Sequence, residues 1–135
     1  MSLHNHQDSI VLQREKPLSI HDFEGKYFLS PISEENNGFT QYVDIRSDNQ
    51  ERPNVWFASS DAKGETIFSA RGHIINNQIE IALSEINKNM NSTMVIRFVG
   101  DNLLEVSTAD FDNRYDLNYF CRGGGSLAGE YIKQK

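Results

Sequence analysis

Between Gly25 and Lys133, apolar and polar residues alternate in short runs, and Asn, Asp and Gly separate the runs. A period of two puts successive side chains on opposite faces of a strand. Breaks at Glu34–Gly38, Ser47–Glu51, Asp61–Gly64, Asn76–Asn77, Asn87–Asn89, Gly100–Asn102, Asp110–Asn113 and Gly123–Gly125 leave about nine such runs. Each connection is too short for a parallel crossover, so consecutive runs pair as antiparallel neighbours. The expected fold is all-β: an antiparallel up-and-down barrel, or strongly curved meander, of about eight or nine strands.

The strongest signals are local. Gln78-Ile79-Glu80-Ile81-Ala82-Leu83 alternates cleanly, and Asn76-Asn77 before it suits a tight hairpin because asparagine tolerates positive φ. Met94, Ile96 and Phe98 share one face of the run Thr93–Val99, so Ile79, Ile81, Leu83, Met94, Ile96 and Phe98 are expected to face one core. Tyr115, Leu117, Tyr119 and Cys121 have strand spacing too, which predicts a further strand with Cys121 on its apolar face. Ser19-Ile20-His21-Asp22 has capping-box spacing, giving one short helical turn or an ordinary turn, with Phe23 as a plug before Gly25 releases the chain into the first strand. Residues 1–18 read as a polar arm with one apolar patch, Ile10-Val11-Leu12, and residues 19–135 as one barrel domain.

Composition restricts function more than it identifies it. A formal charge of -6 without a basic run is the wrong electrostatic footprint for nucleic acid. The single cysteine, Cys121, forbids an intramolecular disulfide and reads as a small buried hydrophobe. No apolar run approaches the roughly 18 residues of a membrane-spanning helix. The first eight residues lack the charged-then-apolar layout of a secretory signal. The abrupt change after Met1-Ser2-Leu3 leaves room for a signal removed upstream, so export to the periplasm is the expectation and a cytoplasmic location the alternative.

Catalytic and cofactor patterns fail on spacing. Gly123-Gly124-Gly125-Ser126 lacks the Lys and the helix of a phosphate loop and reads as a flexible connection or bulge, with a rim loop that contacts a partner as the alternative. Asp110–Asp116 lacks EF-hand spacing and has Arg114 in its midst, so Asx-type turn bonding is expected there. His4 and His6 are too few for a metal site, and Glu34 and Glu35 point to opposite strand faces. No metal or cofactor is expected.

Tyr42 and Trp56 fall opposite the apolar faces of their strands, where exposed aromatics act as binding hot spots. The candidate partner-binding residues are therefore Tyr42, Trp56, Gly124 and Ser126. The other aromatics are mostly assigned to the core.

Asp22-Phe23-Glu24-Gly25-Lys26-Tyr27, a short turn with a Phe plug and then G-x-aromatic, resembles the opening of calycin barrels such as lipocalins and fatty-acid-binding proteins. In those families the motif begins the first strand and packs across the barrel floor. Tyr27 stands where lipocalins usually have Trp, and their other motifs are not recognisable. The resemblance implies a barrel and, through it, carriage of a small hydrophobic ligand. Three functional expectations stand together. The first is a non-enzymatic module of a small bacterial exported protein that binds or inhibits another macromolecule. The second is the apolar-ligand carrier. The third is an enzyme in which Arg71, Arg97, Arg114 or Arg122 holds an anionic substrate in a barrel pocket.

Overall fold

The computed structural model describes residues 17–30, 41–59, 66–120 and 126–133. A short helix, α1 (Ile20–Phe23), precedes β1 (Gly25–Leu29), β2 (Gln41–Ser47), β3 (Pro53–Ser59), β4 (Thr66–Arg71), β5 (His73–Ile75), β6 (Gln78–Ala82), β7 (Thr93–Gly100), β8 (Leu103–Thr108) and β9 (Gly129–Lys133). Two 3-10 helices, Leu83–Glu85 and Phe111–Asn118, sit in the connections after β6 and β8.

All nine strands form one antiparallel sheet in the order β4-β3-β2-β1-β9-β8-β7-β6-β5. Its two outermost strands, β4 and β5, are consecutive in the chain and separated only by Gly72. The sheet therefore curls until its edges meet at one residue, giving a nearly closed barrel. Gly72 holds both sides of the seam: its N–H donates to the Pro53 carbonyl at 2.9 Å, while a Cβ in its place would lie 2.9 Å from the Glu80 carbonyl oxygen of β6. The run between the breaks at Asp61–Gly64 and Asn76–Asn77, expected as one strand from Thr66 to Ile74, is bent here into two.

The register explains the core. Tyr27, Val43, Phe57 and Phe68 are successive partners across β1–β4, and Ile79, Ile96 and Val106 across β6–β8. All seven are buried, as are Ile81, Leu83 and Met94, and Phe98 packs against them. Asn76 and Asn77 adopt φ values of 54° and 65°, as their hairpin requires.

α1 closes one end. Ser19 N–H donates to the Asp22 carboxylate at 2.8 Å, the expected cap, and Phe23 is fully buried and stacked on Phe98 at 4.9 Å. Tyr27 donates its hydroxyl to the Phe23 carbonyl at 2.9 Å, and burial pushes its phenol up to about 12. Gly25 has φ +137°, a conformation side chains rarely adopt, and Lys133 of β9 lies over it with its ammonium 5.8 Å from the Tyr27 ring centroid. His21 Nδ1 donates to Glu24 at 2.7 Å, and the other Glu24 oxygen accepts from Ser47 N–H and Oγ.

One expected element is corrected. Tyr115, Leu117 and Tyr119 do not lie on a strand. Phe111–Asn118 is a 3-10 helix started by Asp110, whose side chain accepts from Asp112 N–H at 3.0 Å. Leu117 is buried while Tyr115 and Tyr119 are 65% and 67% exposed, and Phe111 is 71% exposed, so these three rings are not core. The count of nine strands survives because the split at Gly72 adds one where this segment removes one. Cys121 lies outside the described residues.

Candidate functional site

The two ends of the barrel are built differently. At the α1 end the connections are tight: Asp48–Arg52, Asn76–Asn77 and Asp101–Asn102. The connections β6–β7 and β8–β9 cross the opposite end, the mouth, and the second of these is long.

Apolar side chains seat both connections. Leu83, Met90, Leu117 and Leu127 are buried there. Ser92, also buried, donates its hydroxyl to Asp116 at 2.6 Å, tying one connection to the other. Leu127 N–H donates to the Leu117 carbonyl at 3.1 Å.

A chain of ring contacts runs inward from this cover. Tyr119 meets Phe120 edge-on at 5.3 Å, and Phe120 meets Phe68 at 4.9 Å. Phe68 meets Phe57 at 5.8 Å, and Phe57 meets Tyr131 at 5.8 Å. The rings are tilted close to perpendicular, the arrangement favoured by aromatic quadrupoles. Phe57, Phe68 and Tyr131 belong to strands, whereas Phe120 is carried by the connection. The Tyr131 end of the chain is polar and faces the mouth: Gln41 donates to the Tyr131 hydroxyl at 2.5 Å and to the Ser126 carbonyl at 3.0 Å, and Tyr131 donates to the Leu127 carbonyl at 2.8 Å. The site is an apolar, aromatic wall with a few directed polar groups, the make-up of small-molecule sites.

The residues singled out from the sequence are spread over different surfaces. Ser126 sits at the mouth, half-buried; its hydroxyl accepts from Ala128 N–H at 3.1 Å. Gly124 lies outside the described residues. Tyr42 and Trp56 are on the outside of the barrel wall, Tyr42 with its ring 5.6 Å from Phe28 and under the Lys26 ammonium at 4.6 Å, Trp56 50% exposed. Register continues Tyr42 into an outward row: Leu103, Ile132, Phe28, Tyr42 and Ala58 are successive partners on β8, β9, β1, β2 and β3.

Of the arginines expected to hold an anion, the three that are described do not converge. Arg71 bonds Asp48 and Gln50 at the α1 end, Arg97 pairs with Glu105 on the outer wall, and Arg114 stacks on rings at the mouth. Arg122 lies outside the described residues. The Arg52 backbone N–H holds the Asp48 carboxyl low most strongly, with the Gln50 backbone N–H and Arg71 adding to it against partial desolvation. Among the described residues, no group of His, Cys, Asp and Glu gathers to hold a metal ion. No described helix is long and apolar enough to cross a membrane.

Sequence reasoning missed Gln41, Phe120 and the Phe111–Tyr119 surface. Asp110 followed by Asp112, with Asn113, Asp116 and Asn118 beyond, was the available signal, because these residues favour caps and turns over strands.

The barrel is consistent with a calycin-like architecture. No protein-family model, no curated protein and no solved structure matches the chain.

Proposed function

We propose that this protein binds a small apolar ligand at the mouth of the barrel. The observation that carries the reading is the unbroken ring chain from exposed Tyr119 to buried Tyr131. An eight- to nine-strand barrel has an interior just wide enough for its own side chains or one small ligand. Phe120 occupies the outermost interior position, and it is the one inner ring of the chain that a movement of the connection can withdraw. Its withdrawal leaves a slot walled by Phe57 and Phe68, next to the hydrogen-bonded Gln41–Tyr131 pair. A compact, mostly apolar molecule fits this chemistry. In an exported protein, the reading is of a carrier in the bacterial envelope.

The test is titration with a fluorescent fatty acid. Phe120→Ala is expected to raise uptake by about tenfold, since it removes the competing ring. Phe68→Asp is expected to abolish uptake, with circular dichroism showing whether the barrel persists. Absence of uptake by both the natural chain and Phe120→Ala overturns the reading.

A second reading, a protein-binding module, is favoured by the outward row through Ile132, Phe28 and Tyr42, with Trp56 near it. Replacing Tyr42 and Trp56 together by Ser separates the two. Ligand uptake unchanged with loss of a protein complex favours the module; uptake unchanged with no complex to lose favours the carrier.

A further inference from the structure

We propose that the Phe111–Tyr119 surface docks the protein, mouth first, onto the headgroup layer of a zwitterionic membrane. Phe111, Tyr115 and Tyr119 are 71%, 65% and 67% exposed within nine residues of one another, while other rings nearby are buried or half-buried. Large aromatics left in water at this density are costly unless a partner covers them. The Arg114 guanidinium lies 3.9 Å from the Phe111 ring centroid and 4.4 Å from that of Tyr115, and it donates to the Phe111 carbonyl and the Tyr115 hydroxyl, both at 3.1 Å. The guanidinium thus lies against both rings, joining two apolar bodies to one cation.

Such a cluster suits the membrane interface, where amphipathic rings and guanidinium groups keep their polar tips wet and their apolar bodies in the acyl boundary. Charge then selects the surface. Asp110, Asp112 and Asp116 flank Arg114 in sequence on the same connection, and the whole chain carries -6. An anionic lipid surface repels this end of the molecule, and a second copy would bring the same carboxylates face to face. A neutral, zwitterionic interface offers burial without that repulsion. The inference does not rest on the apolar-ligand reading, although it would set the mouth against a source of apolar molecules.

Flotation of the full chain with phosphatidylcholine vesicles tests it. The chain is expected to float with the vesicles, at low and high salt alike, and to float less when phosphatidylserine is added. Replacing Phe111, Tyr115 and Tyr119 together by Ser is expected to lower the partition coefficient by about tenfold or more. The melting temperature should stay close to that of the natural chain, because all three rings are exposed. Phe111→Ser alone, expected to lower partitioning by about threefold, keeps the test open should the triple variant fold poorly. No flotation, flotation that the triple variant retains, or flotation that requires phosphatidylserine overturns the proposal. So does loss of a dimer rather than of vesicle binding in the triple variant, which would make a second copy the occupant.

Discussion

Gly72→Ala is the most direct test of how the barrel closes. A methyl group at Gly72 would stand 2.9 Å from the Glu80 carbonyl oxygen, from Ile79 Cγ2 and from Ile81 Cγ1, all well inside van der Waals contact. Ile79 and Ile81 are buried core residues, and the third neighbour is backbone of β6, so none can yield cheaply. Overpacking of this kind costs about 1–3 kcal/mol. Unfolding entropy scales at about 2.1 cal/mol/K per residue, so a chain of this length loses about 4 °C of Tm per kcal/mol. The expected fall is about 8 °C, taking about 2 kcal/mol as the middle of that range. Gly100→Ala is the matched control, because its methyl would meet only Leu103 at 3.6 Å. Thermal melts of both variants by far-UV circular dichroism decide the matter. Equal melting temperatures would refute the reasoning that β4 and β5 meet at Gly72.

The remaining predictions concern the core and the α1 end. Ile81→Asp should unfold the domain, since an unpaired charge on the buried face costs several kcal/mol against a stability of roughly 5–15, and loss of the native circular dichroism spectrum is the readout. The hydrogen bond to Glu24, with its charge, raises the His21 pKa above 6.5; His21 and the Ser47 donors lower Glu24 below 4.5. The raised histidine contributes stability that is full below about 6.5 and fades as pH rises through its folded value, while the lowered carboxylate contributes above about 4.5 and fades as pH falls through its own. The melting-temperature difference between the natural chain and Glu24→Gln should therefore peak between roughly pH 5 and 6, shrink on both sides, and diminish with salt because both groups are exposed. A difference that is flat across pH would show that the pair has no role in stability.

The parts of the fold legible in the sequence are those where local and global preferences agree. Ile79, Ile81, Met94 and Ile96 alternate because one sheet face is wet and the other buried, and Asn76-Asn77 announces its own turn. Gly72 is a lone glycine in a run that otherwise alternates; its role depends on how near β6 lies, which only closure of the barrel decides. Tyr115-Leu117-Tyr119 misleads because alternation every two residues is also met in a short segment that presents a single anchor, Leu117, between two exposed rings. Periodicity reads burial from hydrophobicity, and it fails where apolar residues are exposed. That is why the outer rings Phe111, Tyr115 and Tyr119 were the least legible part of the mouth, whereas the buried Phe57, Phe68 and Tyr131 lie on strands that alternation marks.

Differences between the two ends indicate where the barrel yields first. At the α1 end, closure combines the buried Phe23–Phe98 stack, the Tyr27 hydroxyl bond and the Glu24–Ser47 contacts with short turns, so opening there must break several different interactions at once. At the mouth, the described part of the long β8–β9 connection rests on Leu117 and Leu127, the Phe120 ring, and the bonds Ser92–Asp116, Gln41–Ser126 and Tyr131–Leu127, none of them part of the strand ladder. Segments outside the strand ladder open locally at a free energy below that of global unfolding. This one connection carries Phe120 on its inner side and Phe111, Tyr115 and Tyr119 on its outer side. Any surface that engages the outer rings therefore acts on the element that holds the inner ring in place. Ligand entry and surface docking would be coupled through it, since a contact that favours the lifted connection favours the vacated slot by the same free energy.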